Sequence, residues 1–249
     1  MAQLSDKFKH HSSPQSKPAR LFLLDSLIAW VINNCVRVVL IAAKHTALAK
    51  TRLAPAIPHA EREVLAQAMF RDVLAAAGGS RMAERVAVVS SDRTLLEIAK
   101  SAGAMAIDEG APRGLNAAVR MATSMLVEEG ATQVCTLLSD IPLVTGADID
   151  AVFAGIPREG GVVLVPSRDF SGTNIIARAP GDVIGTIFGR LSLVKHLDEC
   201  RQRAVACEVM RLAGPALDLD LLADIMEFVR VGRPTNTLNQ LSRLGIALD

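Results

Sequence analysis

The chain has 249 residues, of which 50% are hydrophobic and 21% are charged, and its formal net charge at pH 7 is +1. This length and apolar content suit one sizeable α/β domain, whereas the small net charge, 3% aromatic content and absence of tyrosine argue against nucleic acid or an anionic membrane as a partner. The four cysteines show no CxxC spacing, which favours reduced thiols in a cytoplasmic protein over a metal site.

The first 34 residues differ in composition from the rest of the chain. Residues 1–20 are polar and basic and predict a disordered tail. Residues 21–34 are mostly apolar, but Asp25 interrupts them, and this favours a short helix or extension over a signal peptide or a membrane span. We therefore predict a tail and N-terminal extension at 1–34 and a single folded domain at 35–249.

From residue 36 onward, buried-type apolar runs alternate with stretches of helical periodicity. The runs predict strands at 36–41, 85–89, 104–107, 134–138, 162–165, 175–177, 205–210 and 215–219. The periodic stretches predict helices at 61–77, 94–102, about 115–129, 146–154, about 192–203 and 221–229, with a weaker one at the C-terminus. This order is typical of a doubly wound, mostly parallel, Rossmann-like sheet.

The first predicted strand leads directly into three cations, Lys44, Lys50 and Arg52. Ligands of open α/β sheets bind beyond the carboxyl ends of the strands. The cations therefore predict a site for a polyanion, most simply a nucleoside triphosphate. The alternative is a solvated loop with ordinary surface cations.

Carboxylates follow two later strands. Asp140 comes directly after the strand at 134–138, and Asp218 and Asp220 form a D-x-D at the end of the strand at 215–219, where alternation puts both on one side. Like charges so close favour a divalent cation, and Mg²⁺ prefers one or two carboxylates with phosphate oxygens. The alternatives are that Asp140 is a turn or capping residue and that Asp220 caps the next helix.

Three motifs of small residues complete the pattern: Gly114-Leu115-Asn116, Gly172-Thr173-Asn174 and Gly189-x-x-Ser192. The first opens a helix, where free backbone N–H groups can hold an anion or a base edge, and the other two suit a second phosphate or carboxylate. Each is also compatible with an ordinary glycine turn. A Walker lysine loop, G-x-S-x-G and a G-x-G-x-x-G after the first strand are all missing, which argues against a P-loop kinase, a hydrolase and a dinucleotide oxidoreductase.

Taken in order, these motifs resemble the phospho-acid guanylyltransferases of deazaflavin coenzyme biosynthesis, which are named for 2-phospho-L-lactate, phosphoenolpyruvate or 3-phosphoglycerate. The resemblance covers roughly residues 37–229 and rests on six motifs: Lys44…Ala49-Lys50-Thr51-Arg52-Leu53, Gly114-Leu115-Asn116-Ala117-Ala118, Ser139-Asp140-Ile141-Pro142-Leu143, Gly172-Thr173-Asn174, Phe188-Gly189…Ser192…His196 and Leu217-Asp218-Leu219-Asp220. It implies a nucleotidyltransferase fold of the molybdenum-cofactor guanylyltransferase type. It also implies transfer of GMP from GTP to the phosphate of the acid, with release of pyrophosphate.

The resemblance further implies a ligand for each motif. The catalytic set would be Lys44, Lys50, Arg52 and Asp140, with the three cations on the GTP phosphates. The nucleotide would also contact Gly114 and Asn116. The Mg²⁺ ligands would be Asp140, Asp218 and Asp220. The phospho-acid would contact Thr173, Gly189 and Ser192.

The chain departs from the family pattern at three places. Ala42 stands where proline is usual, Ser171 where aspartate is usual, and FGRLS where FGPGS is usual. The last change brings Arg190 to the expected acid site, where it could contact an extra carboxylate. The acid stays open, with a preference for phosphoenolpyruvate or 3-phosphoglycerate over 2-phospholactate.

Two other functions fit the same residues. One is a transferase of the same fold with another nucleotide or acceptor, and the other is a non-catalytic nucleotide-binding relative or partner subunit. Retention of the expected carboxylates and cations speaks against the second. Pairing into a homodimer through a sheet edge or a helix face is compatible with either.

Overall fold

The computed structural model describes residues 35–46 and 50–246. The predicted tail at 1–20 and the predicted extension at 21–34 lie outside the described residues, so the division of the chain at residue 34 stays a prediction. Within the described part, no helix is long and apolar enough to cross a membrane.

Seven strands of the described chain form one sheet: β1 (Arg37–Ala42), β2 (Arg85–Ser90), β3 (Met105–Asp108), β4 (Gln133–Leu138), β5 (Gly161–Pro166), β6 (Thr173–Ala179) and β7 (Cys207–Val209). Their order across the sheet is β3-β2-β1-β4-β6-β5-β7. Every neighbouring pair is parallel except the two made by β6, which runs antiparallel to β4 and β5. The prediction of an α/β fold with a mostly parallel sheet is therefore confirmed.

The helices of the described chain are α1 (His59–Gly78), α2 (Arg93–Ser101), α3 (Leu115–Glu128), α4 (Gly146–Ala154), α5 (Ser192–Gln202), α6 (Leu222–Val231) and α7 (Asn236–Arg243), with a 3-10 helix at Thr51–Leu53. Side chains fix several of their starts. Asp92 accepts hydrogen bonds from the N–H groups of Thr94 and Leu95 at the start of α2, and Thr145 caps α4 as predicted.

Side-chain alternation along β1 divides the core into two layers. Val39 and Ile41 belong to an apolar cluster that includes residues of α1, α2 and α4. Val38 and Leu40 belong to a second cluster, which includes residues of α3 and α5. Because helices cover both faces, the central strands are apolar on both sides, and this explains their continuous hydrophobic runs.

The predicted strand at 215–219 is wrong, and the one at 205–210 is shortened to β7. Residues 217–220 belong to no helix or strand and pair with no strand of the sheet. Leu217 and Leu219 are instead buried in a third apolar cluster together with Leu53. The alternating pattern that suggested a strand thus comes from packing against this cluster.

Candidate active site

The candidate site lies beyond the carboxyl ends of β1 and β4. The last residues of these parallel strands, Ala42 and Leu138, are paired in register. Lys44 and Asp140 each follow two residues later, so the two strand ends bring a cation and a carboxylate to the same edge of the sheet.

Lys50 connects the acidic segments of this edge. Its backbone is left-handed, with φ 56° and ψ 35°, and its side chain is only 5% exposed. The Nζ atom lies 2.8 Å from Asp140 Oδ2 and 2.9 Å from Asp220 Oδ1. Arg52 Nη1 lies 3.5 Å from Asp220 Oδ2. One buried ammonium group therefore bridges two carboxylates that lie far apart in the chain.

Asp218 and Asp220 reach the site because their segment is tied down on both sides. The Leu219 N–H donates to the carbonyl oxygen of Asp140 at 3.1 Å, and the side chain of Leu219 is fully buried. Leu217 and Leu219 are buried in the apolar cluster, whereas Asp218 and Asp220 are only half-buried and lie on the other side of the segment. The carboxylates share one side as predicted, although the segment is not a strand.

Asn174 supports this segment from β6. Because β6 is antiparallel, its amino end lies at the carboxyl edge of the other strands. The Asn174 amide nitrogen, on a side chain that is almost fully buried, donates to Pro215 O at 2.9 Å and to Asp218 Oδ1 at 3.2 Å. Asn174 thus positions the first carboxylate of the D-x-D.

The clustered charges shift the pKa values of their neighbours. Burial would lower the pKa of Lys50, but the carboxylates of Asp140 and Asp220 outweigh it and raise that pKa. Burial, followed by the charge of Asp140, raises the pKa of Asp218. Burial would raise the pKa of Asp220, but the Lys50 ammonium outweighs it and lowers the pKa. Unlike Asp140 and Asp220, Asp218 forms no ion pair with a described cation.

The chemistry of these donors suits a hard divalent cation. Asp140 Oδ1 is buried without a hydrogen-bond partner among the described residues, and Asp218 is a second oxygen donor that has no ion pair with a described residue. Within 35–46 and 50–246, no set of three or more His, Cys, Asp or Glu side chains is already gathered for a metal ion. The Lys50 ammonium instead bridges Asp140 and Asp220.

Two cavities adjoin this cluster. The smaller, of about 230 Å³, is lined by the predicted catalytic set Lys44, Lys50, Arg52 and Asp140. The larger, of about 700 Å³, shares Lys44, Arg52 and Asp140 with the first and extends to Thr173, Gly189, Arg190 and Ser192. The structure therefore brings the residues predicted for the nucleotide phosphates and for the acid to neighbouring parts of one site.

Thr173 and His196 form a buried pair at the wall of the larger cavity. The Ile187 N–H donates to His196 Nε2 at 2.8 Å, so a neutral ring carries its proton on Nδ1. That Nδ1 lies 3.0 Å from Thr173 Oγ1. Burial, with a smaller effect of the Arg178 charge, lowers the pKa of His196 to about 4. At neutral pH the Thr173 oxygen therefore accepts from His196, and the hydroxyl proton of Thr173 is left to donate to another acceptor.

The amino end of α5 completes the wall. Ser192 is 1% exposed, and its hydroxyl has no hydrogen-bond partner among the described residues. Gly189 has φ 115°, a backbone conformation that residues with a side chain rarely adopt. Gly189 and Ser192 both line the larger cavity. Their predicted contact with the phospho-acid stays a prediction.

Asn116 is engaged with the protein itself. Its Oδ1 accepts from the Phe188 N–H at 2.7 Å, and its Nδ2 donates to Phe188 O at 3.1 Å. Both polar atoms therefore hold the turn that precedes Gly189. The predicted contact between Asn116 and the nucleotide stays a prediction.

Residues 37–249 match the family model described as guanylyl transferase CofC like. The chain belongs to the CofC-like guanylyltransferase family. It is 33% identical to the phosphoenolpyruvate guanylyltransferase of Sphaerobacter thermophilus over 190 residues, which are 76% of this chain and 91% of that protein. It is 34% identical to the 3-phospho-D-glycerate guanylyltransferase of Phenylobacterium zucineum over 199 residues, 79% of this chain and 91% of that one.

An archaeal relative and a solved structure extend the comparison. The 2-phospho-L-lactate guanylyltransferase of Methanothermobacter thermautotrophicus is 33% identical over 196 residues, 79% of this chain and 85% of the relative. The crystal structure of a Desulfovibrio desulfuricans G20 protein assigned as a nucleotide-diphospho-sugar transferase superposes with a TM-score of 0.68 at 17% identity, covering 83% of this chain and 94% of that one. The structural likeness confirms the nucleotidyltransferase-like fold.

Ser171, one of the three positions at which the sequence resemblance is imperfect, has a local partner in Asp169. Its hydroxyl donates to Asp169 Oδ2 at 2.7 Å, and its N–H donates to Asp169 Oδ1 at 3.0 Å. The Ser167 hydroxyl also donates to Asp169, and these bonds lower the pKa of Asp169 to about 2. An aspartate at position 171 would bring a second carboxylate against Asp169.

The idea that Asp220 caps the next helix is wrong. The N–H groups of Asp220 and Leu221 both donate to Asp224 Oδ2, at 3.2 and 2.8 Å, so Asp224 serves the start of α6. The Asp220 carboxylate is left for the cations of the site. Asp224 also forms an ion pair with Arg168, whose Nη2 atom lies 3.1 Å from Asp224 Oδ1.

Arg168 lines the larger cavity and was missed by the sequence interpretation. It follows the end of β5 by two residues, as Lys44 follows the end of β1. The rule that located Lys44, a cation just beyond a buried strand, would have located Arg168 as well.

Proposed function

We propose that this chain transfers GMP from GTP to the phosphate of a small phosphorylated carboxylic acid and releases pyrophosphate. The acid is phosphoenolpyruvate, 3-phospho-D-glycerate or 2-phospho-L-lactate, and the reaction belongs to deazaflavin coenzyme biosynthesis in the cytoplasm. The observation that carries the proposal is the position of Lys50, whose ammonium group bridges Asp140 and Asp220, two carboxylates that line both cavities. Family membership and the names of the relatives support it.

The chemistry of the transfer fits the residues of the site. A phosphate oxygen of the acid attacks the α-phosphorus of GTP, a new P–O bond forms, and the bond to the pyrophosphate leaving group breaks. Such a reaction needs positioning and charge neutralisation more than a protein nucleophile. Lys44, Lys50 and Arg52 supply the positive charge for the triphosphate in the smaller cavity.

Asp140, Asp218 and Asp220 would hold Mg²⁺. When bound, the ion supplies positive charge to the phosphate oxygens and helps to position them. It would compete with Lys50 for Asp140 and Asp220, and the released ammonium group would then be available to the triphosphate. Lys50 thus stabilises the carboxylates of the free protein and, in this proposal, contacts the nucleotide in the loaded one.

The larger cavity would hold the phospho-acid. Thr173 has a hydroxyl proton to donate, Ser192 has an unpartnered hydroxyl, and Gly189 leaves the turn without a side chain. Arg190 and Arg168 add positive charge beside them. An acid with both a phosphate and a carboxylate offers two anionic groups to these donors.

Pyrophosphate release from purified protein tests the proposal. The reaction contains GTP, Mg²⁺ and one of the three acids at a time, with CTP, UTP and ATP as nucleotide controls and Asp140→Ala as the inactive variant. Release with GTP and one acid, lost in the variant, is the expected result. Release with another nucleotide would favour a different transferase of the same fold, and GTP binding without release would favour the non-catalytic relative.

A further inference from the structure

A third cavity, of about 160 Å³, lies beyond the carboxyl ends of β1 and β2, next to the cavity lined by Lys44, Lys50 and Arg52. It shares Lys44 and Leu115 with the 230 Å³ cavity, so the two are neighbours. We propose that this third cavity holds the guanine base and that the Glu109 carboxylate recognises it. The inference rests on the proposed function, which requires a guanine nucleotide but leaves the base unassigned to any side chain.

The walls of the cavity suit a flat aromatic ring. They are mainly formed by small or apolar residues, namely Ala42, Ala43, Val89, Pro112, Gly114, Leu115 and Ala118. A base inserted between such walls removes apolar surface from water and stacks without needing polar partners on its faces. Lys44 at the shared end would then lie on the side where the nucleotide continues towards its phosphates.

Glu109 is the carboxylate among the lining residues. It directly follows β3, and its N–H donates to Ser90 O at 3.1 Å, which ties it to the end of β2. Its side chain is half-buried and makes no hydrogen bond or ion pair with the described residues. A carboxylate that has no protein partner beside an apolar slot can accept hydrogen bonds from the donors of a ligand.

Guanine supplies two such donors side by side. Its N1–H and its 2-amino group match the two oxygens of a carboxylate, whereas adenine, cytosine and uracil present no adjacent pair of donors on that edge. Hypoxanthine keeps N1–H but lacks the 2-amino group. The carboxylate therefore prefers guanine, because guanine offers an adjacent donor to each of the two carboxylate oxygens and the other bases do not.

Ser91 provides a second polar group in the same cavity. Its hydroxyl oxygen is buried and has no hydrogen-bond partner among the described residues. A hydroxyl group can donate to guanine O6 or N7. Two polar lining side chains without a hydrogen-bond partner among the described residues, one acidic and one neutral, thus agree with a base that has both donors and acceptors.

Calorimetric titration of the full chain with GTP, ITP and ATP, in the absence of a phospho-acid, tests this inference. Each hydrogen bond to a charged group is worth about tenfold to a hundredfold in affinity, so the wild type should bind GTP at least about tenfold more tightly than ITP. Glu109→Gln should weaken GTP by the same factor and weaken ITP less, so that the preference largely disappears.

Glu128→Gln is the matched control, because Glu128 is an exposed carboxylate at the opposite end of α3 from the cavity. It should retain the preference for GTP. Equal binding of GTP and ITP by the wild type, or an unchanged preference in Glu109→Gln, would overturn the inference while leaving the proposed function standing. A wild type that binds no guanine nucleotide would overturn both.

Discussion

The ammonium group of Lys50 lies 2.8 Å from the carboxylate of Asp140, although the two residues are 90 positions apart in the chain. The same group also contacts Asp220, so an internal cation lies between two of the three proposed Mg²⁺ ligands. The positive charge of the ammonium group offsets the repulsion between the two carboxylates. It also makes Lys50 a competitor of the metal, and this has measurable consequences.

Lys50→Met removes the charge and keeps most of the side chain. Because it leaves Asp140 and Asp220 without their buried counterion, we expect the metal-free protein to lose about 1–3 kcal/mol of unfolding free energy. Mg²⁺ should restore more stability to the variant than it adds to the wild type, since the metal no longer displaces an ammonium group. Thermal unfolding with and without Mg²⁺ measures both effects on stability. An assay of pyrophosphate release should also show that the variant loses guanylyl transfer.

Lys195→Met is the control for this variant, because Lys195 is exposed on α5. It should change neither the stability nor the response to Mg²⁺. If Lys50→Met were as stable as the wild type without metal, the ion pairs would not contribute to the free site.

Asp218→Asn should stabilise the metal-free protein. The pKa of Asp218 is raised in the folded state, so ionisation at neutral pH costs folding free energy, and this cost disappears as the pH falls below the ordinary range of a carboxyl group. An asparagine keeps an oxygen for Asn174 and removes the charge. We expect a gain of about 1 kcal/mol at pH 7, or about 2–4 °C in Tm, together with loss of Mg²⁺ binding.

The stabilisation by Asp218→Asn should be largest at pH 7 and shrink in acid. Asp198→Asn, which alters only an exposed ion pair with Arg201, should change Tm little at either pH. Lower stability of Asp218→Asn at pH 7 would show that the carboxylate is better compensated than its surroundings indicate.

His196 makes stability depend on pH below neutrality. Its pKa falls from the ordinary 6.5 to about 4 on folding, so between these values the unfolded chain binds a proton that the folded chain does not. The unfolding free energy is therefore retained above pH 6.5 and decreases towards pH 4, by about 3 kcal/mol from this group. Denaturant titrations of the wild type and His196→Asn measure the difference, and the variant should lack this part of the decrease.

His59→Asn provides the comparison, because His59 is an exposed histidine at the start of α1. It should show the same decrease as the wild type. Identical pH profiles for His196→Asn and the wild type would contradict a neutral, buried imidazole at this position.

The Thr173–His196 pair should act on the acid and not on the nucleotide. His196→Gln can still accept from the Ile187 N–H but loses the donor near Thr173, whereas His196→Asn keeps a donor near the Nδ1 position. We expect His196→Gln and Thr173→Val to raise KM for the acid by about tenfold, the value of one lost hydrogen bond, with KM for GTP unchanged. His196→Asn should be milder, and a parallel rise in both KM values would indicate a merely structural role.

The position of the site was predictable because it depends on strand ends. Lys44 and Asp140 directly follow apolar runs, and parallel strands carry such residues to one edge whatever the details of packing. The alternating leucines at 217 and 219 correctly placed Asp218 and Asp220 on one side. The same leucines wrongly predicted a strand, because alternation reports one buried face and does not say whether the neighbour is a strand or an apolar cluster.

Contacts between distant segments were not predictable. Asn116 has the residue type expected for a base edge, yet its partner is the main chain of Phe188, 72 positions away. Nothing in the local sequence of Thr173 indicates that a histidine would fix the direction of its hydroxyl group. Such roles depend on which loops the folded sheet brings together, and local patterns carry no information about that.

The origin of the oxygen atoms in the products tests the central claim most directly. The phosphate of the acid is labelled with oxygen-18, and the reaction is run with unlabelled GTP and Mg²⁺. Mass spectrometry then measures the oxygen-18 content of both products. Attack by the acid's phosphate on the α-phosphorus predicts that all of the label stays in the guanylyl-diphospho-linked acid and none enters pyrophosphate. Label in pyrophosphate, or the absence of any guanylylated acid with all three substrates, would contradict the account.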